Sequence, residues 1–292
     1  MVEKNDKLIL CKGANAMNPT IILDQELYQP NDFTPFALTD ILTEYSKKNN
    51  QIFLHFWQYD RNAILGMKDT RVPYFEEGIT ELKKLGYQPI IRNSGGLGII
   101  SDKGILNISL IFPQKDFEPF SIDAAYQKML ALTQAALSNT AIKAFEISHS
   151  YCPGTYDLSI NGKKFAGIAQ RRIKKGISVM MYVSVNGNQH ARGKVMRAFY
   201  QAALQETFDT DGYPVVIPDS MATLEELLHV SLTVEEVKQK FKNALTQLLG
   251  DNYSLDSFAW KKTHVSTEQW SAQIQKMNQR NRIKEFNHDC TL

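Results

Sequence analysis

Short apolar runs crowd the middle of this chain. Residues 89–92, 97–100, 105–112, 144–147, 156–160, 164–169 and 177–185 carry β-branched, aliphatic and aromatic side chains, with glycines and turn residues between them. Runs this short suit single strands of a sheet with a buried face better than they suit helices. Asn161-Gly162 stands between two of them, and because both positions tolerate positive φ the pair predicts a tight hairpin. Helical periods bracket the strands. Phe36, Ala37, Ile41, Leu42 and Tyr45 recur at helical spacing, and residues 73–85 open on Pro73 and stop at Gly86. Residues 122–137 set Ile122, Ala125, Met129, Leu132 and Ala136 on one face, and 191–204 close the unit with a further helix. Two earlier runs, 52–57 and 63–65, read as a hairpin. Antiparallel runs flanked by helices predict an α+β fold of mixed, largely antiparallel sheets, not a doubly wound parallel one.

The ends read differently. The first 30 residues look like an irregular arm. Past Pro218 the chain turns to helices and connectors: Thr223 with Glu226, and Thr233 with Glu236, form capping boxes. Val234, Val237, Phe241, Leu245 and Leu248 then make one apolar face, and a mostly polar helical pattern covers 266–286. The expected organisation is an arm over 1–30, a main domain over 31–220 and a short helical C-terminal extension over 221–292.

The charge balance argues against nucleic acid as a partner. Lys and Arg number 33 against 31 Asp and Glu, a net +2, and the cluster Arg171, Arg172, Lys174, Lys175 is local. It is either a solvated strand end or a greeting surface for an acidic protein. The opening MVEKNDKLILCKG is too polar for a secretory signal, and no stretch approaches the roughly 18 apolar residues of a membrane span. Cys11, Cys152 and Cys290 are odd in number and widely spaced, which favours neither a disulfide framework nor a zinc site. A soluble chain in a reducing cytoplasm is expected, without metal or cofactor.

Two segments carry the candidate chemistry. In RNSGGLGIISDKGILNISL, which begins at Arg92, Gly95, Gly96 and Gly98 crowd a strand-rich region. They are either a glycine bulge or a place where something approaches the backbone closely; the spacing is that of neither a Walker loop nor a dinucleotide fingerprint. In SYCPGTYDLSINGKKFAGIAQRR, which begins at Ser150, Cys152 occupies a Pro-Gly loop just before a strand. A free cysteine is commonly a buried small hydrophobe. A nucleophilic one needs its thiolate favoured, and a nearby cation does that. Lys163 and Lys164 lie across the hairpin; alternation lets only one face a cleft, and spacing does not choose between them. Asp157 would orient the lysine or cap its strand. His149 precedes Cys152 closely, but a satisfied or exposed histidine is the simpler reading.

Together, in this order, the two segments resemble the signature regions of the lipoate–protein ligase, octanoyltransferase and biotin–protein ligase superfamily. In detail the chain is similar to the octanoyl-[glycine cleavage H protein]:protein N-octanoyltransferases of Gram-positive bacteria, from its first helix to about residue 230. The resemblance implies that family's catalytic-domain fold over 31–220. It places Arg92, Ser94, Gly95, Gly96 and Gly98 at the acyl pocket and the family's lysine on Lys164, followed by Gly167 and Ala169. It makes Cys152 the thioester nucleophile, with Lys164 lowering its pKa. Backbone N–H groups near Gly167–Ala169 are the expected oxyanion donors. Leu97 stands where ligases carry a third glycine and Ser101 where they carry histidine, leaving Asp102; both departures point from adenylation toward direct transfer. The implied donor is the octanoylated H protein of the glycine cleavage system, and the acceptor is a lipoyl domain of a 2-oxoacid dehydrogenase acyltransferase subunit. The rival readings are an octanoyl–acyl-carrier-protein:protein octanoyltransferase, an ATP-dependent lipoate ligase, and a non-catalytic binding module.

Overall fold

The computed structural model describes residues 20–114, 121–138, 140–210, 212–249, 253–255 and 259–282. Within these, the apolar runs become strands of two sheets. In chain order the elements are β1 (Thr20–Tyr28), α1 (Thr34–Asn49), β2 (Phe53–Tyr59), β3 (Arg61–Leu65), α2 (Phe75–Lys84), β4 (Gln88–Ile91), β5 (Ile99–Asp102) and β6 (Ile105–Pro113). There follow α3 (Ile122–Ala136), β7 (Lys143–Ala144), β8 (Leu158–Ile160), β9 (Lys163–Ile173), β10 (Gly176–Ser184) and α4 (Gln189–Leu204). The last are α5 (Leu224–Leu228), α6 (Val234–Leu249), β11 (Tyr253–Leu255), α7 (Ala259–His264) and α8 (Thr267–Asn281).

The larger sheet runs β11-β1-β2-β6-β10-β9-β8-β7, parallel at its β11-β1-β2 edge and antiparallel beyond. The smaller runs β4-β3-β5, with one parallel and one antiparallel pair. This is the expected α+β class. Strand alternation then separates two cores. Leu106, Ile108, Leu110 and Phe112 of β6 and Ile177, Val179, Met181 and Val183 of β10 face α3 and α6, which add Met129, Leu132, Val237 and Phe241. Below the small sheet, α2 and α4 bury Phe75, Leu82, Met196, Phe199 and Tyr200 with Ile64, Ile90 and Ile100.

Several expectations change in detail. Runs 52–57 and 63–65 do not form a hairpin: β2 lies between β1 and β6 in one sheet, while β3 joins β4 and β5 in the other. Nearly all of β2 is buried, so it needs neighbours on both edges and takes distant ones. The arm expected over 1–30 contains β1 across residues 20–28, which pairs with β2; residues 1–19 lie outside the described part, as do Cys11, Cys290 and 283–286 of the last helical pattern. The hairpin at Asn161-Gly162 forms as its residue types require, with φ of 51° and 76°. Both capping boxes form: Glu226 accepts from the Thr223 N–H at 2.8 Å, and Glu236 from the Thr233 N–H at 2.7 Å. Among the described residues no helix is long and apolar enough to cross a membrane.

Candidate active site

The glycine-rich segment is not a bulge within a strand. It is the loop from β4 to β5, and it faces the Cys152 loop across the mouth of a slot. The slot opens between the start of α1 and the sheet face away from α3. Its walls are Phe36, Trp57, Ile64 and Ile99 on one side and Gly167, Ile168, Ala169, Met180, Met181 and Tyr182 of β9 and β10 on the other. Arg92, Ser94, Asn107 and Cys152 supply its polar groups. About 490 Å³ of non-atom space lies within its bounds, the open solvent of the mouth included.

Cys152 is partly exposed and adopts a left-handed φ of 48°, a conformation a non-glycine residue holds only when its surroundings impose it. The restraint comes from Lys164. Lys164 is 1% exposed, and its ammonium donates to the Ser150 hydroxyl at 3.0 Å, the Tyr151 carbonyl at 2.9 Å and the Cys152 carbonyl at 2.8 Å. The Asp157 carboxylate lies 2.9 Å away and completes the set. Burial pushes the Asp157 carboxyl up, and Lys164 together with the N–H groups of Ile147 and Gly154 pulls it back. Alternation between the two lysines is thereby resolved: Lys163 is exposed and Lys164 is inside. Lys164 meets the Cys152 loop through the Ser150 hydroxyl and the Tyr151 and Cys152 carbonyl oxygens.

The sulfur has other partners. The Leu97 N–H points at Cys152 Sγ from 3.2 Å, and Arg92 Nη2 lies 3.7 Å from it. The same Nη2 donates to the carbonyls of Gly95 at 2.7 Å and Leu97 at 3.0 Å, folding the loop around the guanidinium. The sulfur thus lies beside a main-chain donor and a guanidinium. Gly96 makes the approach possible: its φ is +89°, and a Cβ there would stand 2.5 Å from Arg92 Nη2 and 3.2 Å from Sγ.

Of the remaining expected site residues, Ser94, Gly167 and Ala169 line the slot. At Gly167 a Cβ would meet the Tyr182 ring at 2.7 Å. Gly95 is exposed, and Gly98 packs beneath the loop, where a Cβ would meet Met196 at 2.5 Å. His149 is exposed, and its carbonyl accepts the Ile217 N–H at 2.8 Å. The basic cluster is largely spoken for: Arg171 pairs with Asp40 at 2.6 Å and donates to the Asn93 carbonyl at 2.6 Å, and Lys174 pairs with Glu44. Arg171 thus ties α1 to the Arg92 loop. The Leu97 N–H and the wall residues Phe36, Trp57, Met180 and Tyr182 were not foreseen; only the alternation of β10 hinted at the last two.

The fold is that of a lipoyl protein ligase A/B catalytic domain. That family's description matches residues 31–246, and the chain belongs to it. Its relatives point to one branch. Over 215 residues the chain is 45% identical to the octanoyl-[GcvH]:protein N-octanoyltransferase of Exiguobacterium sibiricum, covering 73% of this chain and 78% of the relative. Over 246 residues it is 39% identical to the enzyme of the same name from Geobacillus kaustophilus, covering 82% and 87%. Among solved structures, a lipoate-protein ligase A bound with ATP superposes with a TM-score of 0.63 at 17% identity, over 90% of this chain and 95% of that one. A bi-partite lipoate protein ligase of Thermoplasma acidophilum gives 0.61 at 19%, over 91% and 93%. At these identities the likeness is one of fold.

Proposed function

We propose that this chain moves an octanoyl group from a lysine of the glycine cleavage H protein to a lysine of the lipoyl domains of 2-oxoacid dehydrogenase acyltransferase subunits, through a thioester on Cys152, in the cytoplasm. The observation that carries this reading is the sulfur at the slot mouth, held between the Leu97 N–H and Arg92 Nη2. The names of the relatives supply the acyl group and the donor. A lipoyl domain as acceptor fits the Thermoplasma ligase, which was described with its E2 lipoyl domain.

The chemistry divides into two half-reactions. The Cys152 thiolate attacks the carbonyl of octanoyl-lysine while the chain lies in the slot. A C–S bond forms, and the carbonyl oxygen becomes an oxyanion. β8 ends its pairing opposite Ala166, so among the described residues β9 beyond that point has no strand neighbour on that side, in the stretch proposed to stabilise this charge. Such a donor contributes about 3 kcal/mol. The C–N bond then breaks, and the leaving lysine amine takes up a proton. In the second half the neutral amine of the acceptor lysine attacks the thioester, the C–S bond breaks, and the acceptor nitrogen releases a proton. Thiolate and proton balance are restored. An amide is consumed and an amide is made, so the cycle is close to thermoneutral and needs no nucleotide. Two protein substrates visiting one sulfur give ping-pong kinetics.

Intact-mass measurement after mixing with octanoylated H protein tests the proposal. One octanoyl adduct is expected on the wild type and none on Cys152→Ser. An adduct that persists in Cys152→Ser would overturn the assignment, and loading only from octanoyl–acyl carrier protein would give the donor role to that carrier.

A further inference from the structure

One buried carboxylate has no part in the reaction just described. Asp69, in the turn after β3, is fully buried. Its Oδ2 accepts the Gly66 N–H at 2.7 Å, and its Oδ1 accepts the Tyr200 hydroxyl, from α4, at 2.8 Å. Each bond leads to the loop that holds the sulfur. Gly66 lies so close beneath that loop that a Cβ on it would stand 1.9 Å from the Gly96 carbonyl oxygen. On the other side of Leu97 the Gly98 N–H acts on the Tyr200 oxygen, and a Cβ on Gly98 would stand 3.6 Å from Asp69 Oδ2 itself. The two supports therefore bracket Leu97, whose N–H points at Cys152 Sγ.

We propose that Asp69 is a positioning residue: through Gly66 and Tyr200 it clamps the loop on both sides of Leu97 and so aims the Leu97 N–H at the Cys152 sulfur. This rests on Cys152 being the nucleophile. Ionised, the carboxylate accepts both bonds at once, whereas an asparagine has a single oxygen and must present its amide nitrogen to one of the two donors. The charged and titratable groups acting on it are Arg92, Lys68 and Tyr200; burial pushes its carboxyl up to about 6 against their pull, which leaves it mainly ionised at neutral pH.

The test is the pH dependence of Cys152 alkylation by iodoacetamide in the full chain, read by peptide mass so that Cys11 and Cys290 do not interfere. In Asp69→Asn and Tyr200→Phe the midpoint should move to higher pH and the rate at pH 7 should fall several-fold, with kcat down about tenfold and KM for the octanoylated donor within twofold, as expected when a hydrogen bond to an anion is loosened. If either folded variant alkylates with the wild-type profile, the proposal fails, whatever happens to turnover. Tyr200→Phe removes a single hydroxyl and decides the matter if Asp69→Asn does not fold. Absence of an octanoyl adduct on wild-type Cys152 would instead overturn the nucleophile, and the alkylation profiles would still report on the clamp.

Discussion

At the scale of single residues, the site divides two tasks between different groups. Lys164 fixes the backbone of the Cys152 loop, while the groups that touch the sulfur are Arg92 and a main-chain N–H. A buried ammonium with this many partners is an anchor whose loss leaves the Asp157 carboxylate buried without a counter-charge. Lys164→Met should therefore destabilise the fold by about 3–5 kcal/mol, as breaking one side of a buried ion pair does, while Lys164→Met/Asp157→Leu should recover a large part of that loss. Urea denaturation of the three proteins checks this. Equal stability of Lys164→Met and wild type would show that the ammonium is not the anchor of the loop. Residue-level reading reached Cys152 and the pair Lys163 and Lys164; the resemblance assigned Lys164, and burial along β9 agrees with it. Arg92 was visible only through resemblance, because an arginine before a glycine loop has no sequence signal of its own; the Leu97 N–H was invisible because every residue but proline has one.

At the scale of elements, what was legible depended on how local the cause was. The β8–β9 turn is dictated by two adjacent residues, and the two capping boxes by residues three apart, so each could be read directly. The assignment of β2 and β3 to one hairpin failed because neighbours such as β1 and β6 are distant in sequence. The slot suffered the same limit: Phe36, Trp57, Met180 and Tyr182 come from separate elements that only the sheet register brings together. The C-terminal helix adds another long-range contact. The Asn281 carboxamide accepts the Ile91 N–H at 2.8 Å and donates to the Ile91 carbonyl at 3.3 Å, docking α8 on β4 just before Arg92. Removing both bonds in Asn281→Ala should cost about 1–2 kcal/mol and accelerate hydrogen exchange at the Ile91 amide. Unchanged exchange there would mean that α8 is held without that contact.

At the scale of the whole molecule, acid stability carries the mark of one histidine. His55 is fully buried on β2, its Nε2 2.7 Å from the Gln25 carbonyl oxygen of the side-chain amide. Burial lowers its pKa to about 3, with Asp24 pulling the other way. A folded pKa below the unfolded value of 6.5 means the neutral ring contributes stability that is complete above pH 6.5 and is lost as pH falls toward about 3. Against His55→Gln, the wild type should lose stability more steeply with acid through that window; parallel stability curves would contradict the neutral buried ring. The relay itself depends on one covalent state, and the most direct measurement isolates it. Octanoyl-loaded enzyme, freed of donor, is mixed with an unmodified lipoyl domain in the absence of nucleotide, and both proteins are weighed over time. The expected result is loss of octanoyl from Cys152 matched by its appearance on the domain's lysine, at a rate no slower than steady-state turnover. An acyl-enzyme that does not discharge while the mixture of donor, enzyme and acceptor still turns over would contradict it.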